Sequence, residues 1–346
     1  MVEATRIDQG EKTMNVFGFN SNDVQPQRLE QPTPIPTGHD LLIKIDAIAV
    51  NPVDTKVIAG MTEILSTPRI VGWDATGTVI ATGENTVLFK AGDKVFYAGD
   101  ITRPGCYASH QLVDERIVGI APSNLTPVQA AAMPLTSITA WEALFSRLKI
   151  TEQHDAGKNI LIIGGAGGVG SIAIQLAKKV AKLNVIATAS HKESIEWCKK
   201  MGADQIINHH GDLTHQYRAL GMRDPDYILC LNDTDQHYAA MADLIAPQGL
   251  ICSIVGSQQK QDLDKLKSKS AGFIWEFMFT RPMYNTHDLI AQHHLLNTIA
   301  TLLDEGKIIS TLTEDLGPMS AENIQKAHQQ LQSGRTIGKL ALTAIV

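Results

Sequence analysis

Seven consecutive residues contain the clearest chemical pattern in the sequence, Gly164-Gly165-Ala166-Gly167-Gly168-Val169-Gly170. Gly165, Gly167 and Gly170 fill the positions of a G-x-G-x-x-G motif. This spacing allows a tight backbone turn and lets the N–H groups at the start of a helix approach a pyrophosphate. A glycine-rich turn without a ligand is the alternative. We predict a dinucleotide site, because a strand, a helix and a second strand are all predicted where the motif requires them.

The tip of the second predicted strand indicates which dinucleotide is bound. It reads Thr188-Ala189-Ser190-His191-Lys192 and has no acidic residue of the kind that usually binds the ribose hydroxyls of NAD. Ser190 could instead hydrogen-bond a 2′-phosphate, and Lys192 could supply a positive charge. We therefore favour NADPH. Ser190-x-x-Glu193 also has the pattern of a helix capping box, and the two interpretations are compatible.

The segments around these residues predict two kinds of architecture. Short apolar runs between turn residues, at Leu41–Ile45, Gly77–Ile80 and Lys94–Tyr97, are typical of a barrel-like β domain. From Lys158 onward strands and helices alternate, which indicates an α/β, doubly wound parallel sheet. The predicted strands are 159–163, 184–188, 205–207, 227–231, 250–255 and 339–345, and the predicted helices are 135–145, 169–180, 194–201, 289–304 and 321–332. The last strand could rejoin the β domain.

Composition and charge narrow the class of protein. The chain has 346 residues, of which 44% are hydrophobic, and a formal net charge of −6; this length favours two domains, and this charge argues against nucleic acid or an anionic membrane as the main partner. The four cysteines are scattered, so reduced thiols in a cytoplasmic protein are expected. We see no signal peptide or membrane-spanning run. Residues 1–13 are predicted to be either a tail before the fold or the result of an alternative start site.

Several motifs together resemble the quinone oxidoreductase and zeta-crystallin branch of the medium-chain dehydrogenase/reductase superfamily. They are Asn51-Pro52-Val53-Asp54, Gly72-Trp73-Asp74-Ala75-x-Gly77-x-Val79, Gly92-Asp93-Lys94-Val95, Ala130-Ala131-x-x-Pro134, Thr139-Ala140-Trp141 and the segment from Gly157 to Lys178 that contains the glycines. The resemblance implies a GroES-like β-barrel catalytic domain at residues 14–130 and 287–346, with a Rossmann NADP-binding domain at residues 131–286. It extends to the subgroup labelled zinc-type alcohol dehydrogenase-like.

The catalytic zinc ligands of that superfamily's alcohol dehydrogenases are missing from this sequence. A cysteine near the N-P-x-D element and a G-H-E triplet supply those ligands, and this chain has Asn51 and Trp73-Asp74 at the matching places. Neither an amide nor an indole is a normal zinc ligand. The adjacent pairs His209-His210 and His293-His294 are more typical of surface histidines, since neighbouring side chains point in different directions. The sequence therefore argues against a metal site.

Without a Lewis acid, conjugated acceptors are the natural substrates. Their charge delocalises during hydride transfer, so hydrogen bonds alone can stabilise it. The predicted function is hydride transfer from NADPH to quinones or α,β-unsaturated carbonyls. The alternatives are a zinc-type alcohol dehydrogenase acting on simple carbonyls and a non-enzymatic NADPH-binding or sensor protein.

The resemblance also implies which residues form the site. Gly165, Gly167, Gly168, Val169 and Gly170 would contact the pyrophosphate, and Ser190 and Lys192 the 2′-phosphate. The other implied cofactor contacts are Asn51 and Thr139 at the nicotinamide, Asn232 at the adenosine half, Ile254 and Gly256 at the nicotinamide amide, and Arg335 from the C-terminal segment. The candidate proton donors are Asp54, Lys56, Asp74 and Tyr97, although such residues are more often turn, surface or packing residues. Lys56 departs from the family, which often has tyrosine there. A homodimer is implied, with Leu250–Val255 as a candidate seam.

Overall fold

The computed structural model describes residues 12–21 and 23–345. Most of the predicted tail, residues 1–11, lies outside the described residues. Thr13, which we placed in the tail, is instead the first residue of strand β1 (Thr13–Asn20), where it pairs with Pro32. The first described strand therefore begins one residue earlier than the predicted start of the fold.

The elements follow one another in a β-rich first third and then in strand–helix alternation. The remaining strands are β2 (Asp23–Pro32), β3 (Asp40–Ala49), β4 (Arg69–Ile70), β5 (Ala75–Thr82), β6 (Lys94–Tyr97), β7 (His110–Asp114), β8 (Val118–Ile120), β9 (Asn159–Ile163), β10 (Asn184–Thr188), β11 (Gln205–Ile207), β12 (Tyr227–Cys230), β13 (Leu250–Ser253), β14 (Gly272–Trp275), β15 (Leu312–Met319) and β16 (Lys339–Ile345). The helices are α1 (Pro52–Ala59), α2 (Pro127–Ala131), α3 (Pro134–Trp141), α4 (Glu152–Asp155), α5 (Gly168–Lys179), α6 (Lys192–Met201), α7 (Leu213–Ala219), α8 (Thr234–Leu244), α9 (Asp264–Lys267), α10 (Thr280–Tyr284), α11 (Ala291–Asp304) and α12 (Ala321–Gln332).

A six-stranded parallel sheet forms the second half of the fold. Its order is β11-β10-β9-β12-β13-β14, and every neighbouring pair is parallel. Its central strand β9 is buried at all five residues, as expected for a parallel strand that has helices on both faces. The predicted doubly wound sheet is confirmed. Strand β13 ends at Ser253, two residues before the predicted end, although the Ile254 N–H still donates to the Cys230 carbonyl oxygen of β12 at 3.2 Å.

A mainly antiparallel, seven-stranded sheet forms the other half, in the order β15-β16-β3-β5-β6-β8, with β7 paired to β3. A smaller sheet has the order β2-β1-β4. The last strand, β16, runs antiparallel to β3, so the C-terminus rejoins the first β domain as predicted. Together the two halves confirm a GroES-like β domain joined to a Rossmann-type domain.

Helices α2 and α3 connect these halves. Thr126 caps α2 and Pro127 occupies its first turn, where the missing N–H of proline costs no helical hydrogen bond. The predicted helix over residues 135–145 is real but changes its character, because α3 is followed by a π-helical stretch, Glu142–Arg147. Sequence periodicity does not reveal this change, because a π-helical stretch of about one turn is too short to establish a period of its own.

The place that we assigned to a dimer seam is wrong. Strand β13 is hydrogen-bonded to β12 on one side and to β14 on the other, so it has no open edge. The outer strand of the sheet on this side is β14. Strand β14 was not predicted, because it has only four residues and its side chains are half-buried or exposed.

Candidate functional site

The glycine motif forms the connection between β9 and α5. Strand β9 ends at Ile163, Gly164 turns the backbone at a φ of +88°, and Gly167 is the N-cap of α5. Gly167 has no side chain to cap the helix, so the first N–H groups of α5 have no capping side chain. These are the groups that an anion binds at a helix N-terminus.

Packing requires two of the motif's glycines, Gly165 and Gly170, but not Gly167. A Cβ atom on Gly165 would lie 2.8 Å from the Cβ of Ala187, and one on Gly170 would lie 2.3 Å from the carbonyl oxygen of Gly164. Gly167 differs, since its φ is −71° and a Cβ atom would approach only the oxygen of Gly164, at 3.8 Å. Neither backbone conformation nor packing requires glycine at 167. An open space at this position fits the close approach of a diphosphate.

The tips of two neighbouring strands border the glycine loop. The Gly164 N–H donates to the Thr188 hydroxyl at 2.9 Å, and the Gly165 N–H donates to the Thr188 carbonyl oxygen at 3.1 Å. On the other side, a Cβ atom on Gly164 would lie 3.5 Å from the Cβ of Asn232. The structure therefore places Asn232 and the segment after β10 beside the predicted dinucleotide site.

The predicted Ser190–Glu193 capping box is shifted by one residue. Helix α6 begins at Lys192 with His191 as its N-cap, and the His191 N–H donates to the Ser194 hydroxyl at 3.0 Å. Sequence alone did not give the register because both spacings place a polar residue at each end of the box. Ser190 is half-buried, Lys192 is exposed, and neither side chain has a hydrogen bond or ion pair among the described residues. Both side chains are thus free to bind a phosphate.

The C-terminal segment contacts the glycine loop from the opposite side. The Gly338 N–H donates to the Ala166 carbonyl oxygen at 2.9 Å, and Gly167 and Gly338 form a parallel bridge. A Cβ atom on Gly168 would lie 2.9 Å from the Cδ of Lys339. Arg335, four residues earlier, has an exposed side chain. This contact brings residues that are distant in sequence to the mouth of the glycine loop.

The Lys339 side chain extends from the glycine loop into a buried polar network. Its side chain is only 3% exposed, and its ammonium donates to Val50 O at 2.8 Å and to Asn51 Oδ1 at 2.5 Å. The third acceptor is Asp74 Oδ2, at 3.0 Å. Three oxygens therefore match the three N–H groups of the ammonium.

Asn51 and Asp74 complete this network. The Asn51 Nδ2 donates to Asp74 Oδ2 at 3.1 Å, and the Leu135 N–H donates to Asp74 Oδ1 at 3.0 Å. Both side chains are buried. Burial raises the pKa of the Asp74 carboxyl, while the Lys339 ammonium and the N–H donors oppose that shift. The network thus joins α1, β5, α3 and β16 beside the start of α5.

Asp54 lies on the other side of Asn51, in the first turn of α1. Its Oδ2 accepts from the Asn51 N–H at 2.8 Å and from the Tyr107 hydroxyl at 3.1 Å, while its Oδ1 has no partner among the described residues. Burial raises the pKa of Asp54 to about 7. The Tyr107 hydroxyl also lies 2.9 Å from His328 Nε2. Burial lowers the pKa of His328 to about 4, so this histidine is neutral at physiological pH.

The residues at the positions of the zinc ligands do not fit a zinc ion. Asn51 Oδ1 and Asp74 Oδ2 both accept from the ammonium of Lys339. The indole nitrogen of Trp73 is a donor, and it donates to the Asp100 carbonyl oxygen at 3.1 Å. Within residues 12–21 and 23–345, no group of three or more His, Cys, Asp or Glu side chains has the arrangement of a metal site.

The other residues predicted for the site differ in burial and in their contacts. Thr139 is buried on α3 and its hydroxyl donates to the Leu135 carbonyl oxygen at 2.8 Å. Ile254 and Gly256 follow β13, and a Cβ atom on Gly256 would meet nothing within 4 Å. Lys56 points to solvent on α1. Tyr97 is fully buried, its hydroxyl has no partner among the described residues, and burial raises its pKa well above the usual range.

Three residues of this network, Lys339, Tyr107 and His328, were not predicted from the sequence. Lys339 was included in a predicted strand, and a lysine at the start of a strand ordinarily points to solvent. The G-K pair after Arg335 was the available signal, because a lysine within an otherwise apolar closing strand is unusual. Tyr107 and His328 carried no signal, since 221 residues separate them.

Comparison with known proteins gives the family. The protein-family model described as "Alcohol dehydrogenase GroES-like domain" matches residues 17–126. The family model described as "Zinc-binding dehydrogenase" matches residues 201–342. A zinc-type alcohol dehydrogenase-like protein of Staphylococcus aureus is 46% identical over 90% of this chain and 93% of its own length. An Arabidopsis thaliana protein, "NADPH-dependent alkenal/one oxidoreductase, chloroplastic", is 34% identical over 57% of this chain and 50% of its own.

Comparison with solved structures supports the same family. A putative zinc-dependent alcohol dehydrogenase from Rhizobium etli has a TM-score of 0.91 at 44% identity, covering 97% of this chain and 99% of its own. The quinone oxidoreductase from Coxiella burnetii has a TM-score of 0.78 at 26% identity, covering 96% and 99%. No helix in the described part of the chain is both long and apolar enough to cross a membrane. The chain belongs to the medium-chain dehydrogenase/reductase superfamily, as a zinc-type alcohol dehydrogenase-like protein related to quinone oxidoreductases and enone reductases.

Proposed function

We propose that this oxidoreductase transfers a hydride from NADPH to quinones or α,β-unsaturated carbonyls without zinc. The observation that supports this most directly is the buried network around Asn51, whose oxygens bind an ammonium where family members with zinc have metal ligands. Such a site offers hydrogen bonds rather than a Lewis acid. Hydrogen bonds suffice when the acceptor delocalises the transferred charge.

The assignment of NADPH depends on Ser190 and Lys192. Both side chains lie beyond the tip of β10, next to the glycine loop, and no acidic side chain precedes them there. A hydroxyl and an ammonium suit a 2′-phosphate, whereas a carboxylate would repel it. The name of the Arabidopsis relative, which specifies NADPH and alkenals or alkenones, supports both the cofactor and the substrate class.

The other cofactor contacts follow from the loop. We assign the diphosphate to the backbone of Gly165, Gly167, Gly168, Val169 and Gly170, with Asn232 beside the adenosine half and Arg335 approaching from the C-terminal segment. Asn51, Thr139, Ile254 and Gly256 would surround the nicotinamide. The bound nucleotide would supply the hydride and its two electrons to the substrate's conjugated carbon.

The chain itself would stabilise the product anion and supply a proton. We propose that the Asn51 amide donates a hydrogen bond to the carbonyl oxygen of the substrate. Asp54 is the candidate for protonating the α-carbon, directly or through water, because its raised pKa leaves it partly protonated at neutral pH. Lys56 and Tyr97 are not included in this proposal, since one is exposed and the other has no polar contact among the described residues.

The division of the chain and its assembly belong to the same proposal. We assign residues 14–130 and 287–346 to the catalytic domain and residues 131–286 to the cofactor domain, in a cytoplasmic homodimer. The open edge of β14 is the proposed seam, because Ile274, Trp275 and Phe277 expose 36%, 47% and 45% of their surface there. An open edge with apolar side chains is a template for pairing with a second copy.

Steady-state assays would test the proposal. We expect NADPH oxidation with 9,10-phenanthrenequinone, 1,4-benzoquinone and 2-alkenals by protein whose zinc content is far below stoichiometric. Simple ketones and aldehydes serve as the control acceptors and should react much more slowly. Tight NADPH binding without turnover of any acceptor would contradict the enzymatic proposal, and activity that rises in proportion to added zinc would contradict the metal-free one.

A further inference from the structure

Lys339 uses all of its hydrogen bonds within the protein. Its three acceptors are Val50 O, Asn51 Oδ1 and Asp74 Oδ2, at 2.8, 2.5 and 3.0 Å. An ammonium has three N–H groups and no acceptor, so none remains for a substrate while these contacts persist. Lys339 is therefore placed to orient another group rather than to donate to the reacting carbonyl.

That group is the Asn51 amide. Its oxygen accepts from the ammonium of Lys339, and one N–H of its Nδ2 donates to Asp74 Oδ2 at 3.1 Å. Rotating the amide by 180° would place its NH₂ group against the ammonium and its oxygen against the carboxylate. Both new contacts would be repulsive in a buried site of low dielectric, so the two charged residues favour one orientation.

This orientation leaves one N–H group of Asn51 available. The amide nitrogen has two N–H groups; one is bonded to Asp74, and the second has no acceptor among the described residues. We propose that Lys339, acting with Asp74, is a positioning residue that holds the Asn51 amide so that this second N–H donates to the carbonyl oxygen of the acceptor. The inference rests on the proposed function, because the acceptor is the conjugated carbonyl assigned above.

The location of Lys339 connects this role to the cofactor site. The Lys339 Cδ would lie 2.9 Å from a Cβ atom on Gly168, the first residue of α5. Gly338, which precedes Lys339, donates its N–H to the Ala166 carbonyl oxygen. The aliphatic stem thus packs on the glycine loop while the ammonium orders the amide. One side chain therefore fixes Asn51 relative to the loop that would hold the diphosphate.

The test removes the two charges together. Lys339→Met alone would leave Asp74 buried without its ammonium partner, so the working variant is Lys339→Met/Asp74→Asn, which keeps both shapes and can still accept the Leu135 N–H. In this variant the amide side chain at position 74 can form a hydrogen bond with the Asn51 amide in either of its orientations. The matched control is Lys178→Met/Asp204→Asn, which removes an ion pair of 2.7 Å at the surface.

A mutant cycle with Asn51→Ala measures the coupling. In the wild type we expect Asn51→Ala to lower kcat by about 100-fold, as for the loss of one oxyanion donor. In the Lys339→Met/Asp74→Asn background, where kcat is already reduced by about tenfold or more, the same change should cost much less than it does in the wild type. Nucleotide affinity and Tm should stay close to the values of the control variant.

A second measurement does not depend on turnover. In protein labelled with ¹⁵N-asparagine, with Asn51→Ala identifying the resonance, the two Nδ2 protons of wild-type Asn51 should exchange with solvent at clearly different rates. The charge-free variant should lose this asymmetry, and the surface control should keep it. If wild-type protein turned over no acceptor but this asymmetry behaved as expected, the proposed reaction would be wrong and the positioning role would stand. Unchanged exchange, or an Asn51→Ala effect of equal size in both backgrounds, would overturn the role of Lys339.

Discussion

The backbone N–H of Gly338 donates to the carbonyl oxygen of Ala166 at 2.9 Å, which joins the C-terminal segment to the middle of the glycine loop. The two residues are far apart in sequence and belong to the two halves of the fold. This bond places Lys339 beside α5 and Asn51 beside Lys339. The candidate site therefore depends on how the last strand returns to the first β domain.

Two glycines of the loop should respond differently to alanine. Gly167→Ala should leave Tm nearly unchanged, because a Cβ atom there meets open space, but it should weaken NADPH binding by about tenfold or more, since the atom would occupy the phosphate's position. Gly165→Ala should lower Tm, because its Cβ would lie 2.8 Å from that of Ala187. Thermal melts and NADPH fluorescence titrations would measure both effects. An equal loss of affinity and of Tm in both variants would count against the diphosphate assignment.

Lys192 should determine the preference for the phosphorylated cofactor. Lys192→Ala should weaken the binding of NADPH by about tenfold and that of NADH hardly at all, because in the proposed complex the lost charge would face only the 2′-phosphate. Lys199→Ala, at an exposed position later in α6, is the control and should change neither. The dissociation constants of both variants for NADPH and for NADH would measure these effects. Equal losses for NADPH and NADH in Lys192→Ala would remove the case for the phosphate.

His328 should make the fold sensitive to acid. Its pKa falls from 6.5 in the unfolded chain to about 4 in the folded one, so the unfolded state binds more protons between these values. Stability is fully present above pH 6.5 and is lost as the pH falls towards 4, by about 3 kcal/mol. Chemical denaturation at pH 7 and pH 4.5 should show a smaller loss for His328→Gln than for the wild type, while exposed His294→Gln should behave as the wild type. A loss in His328→Gln as large as in the wild type would show that the histidine is not the titrating group.

The edge of β14 should control assembly. Trp275→Asp would place a charge on an apolar edge strand, so we expect the wild type to elute as a dimer and this variant as a monomer at the same concentration. Ile35→Asp changes a more exposed apolar residue, at 74% exposure, and should leave the dimer intact. Light scattering coupled to size-exclusion chromatography would report the masses. A dimeric Trp275→Asp variant would place the seam elsewhere.

The fold was largely predictable because its parallel strands are short, continuous apolar runs bounded by turns. Strands β9, β10 and β11 have the predicted bounds, and the glycine spacing identified the loop between β9 and α5. Strand β14 and the register of the α6 cap were not predicted, because a half-exposed strand has no strong periodicity and two polar spacings were equally good. The Lys339 network was out of reach for a different reason: 288 residues separate Lys339 from Asn51, and only the closing of β16 on β3 brings them together.

The most direct test of the central claim follows the hydride itself. Protein with its zinc content measured would be given NADPH deuterated at the transferable position of C4 and an α,β-unsaturated ketone, and the product would be analysed by NMR. We predict a saturated ketone with deuterium at the β-carbon, formed by protein that contains far less than one zinc per chain. An allylic alcohol with deuterium at its carbinol carbon, or a product formed only when zinc is bound, would contradict the account.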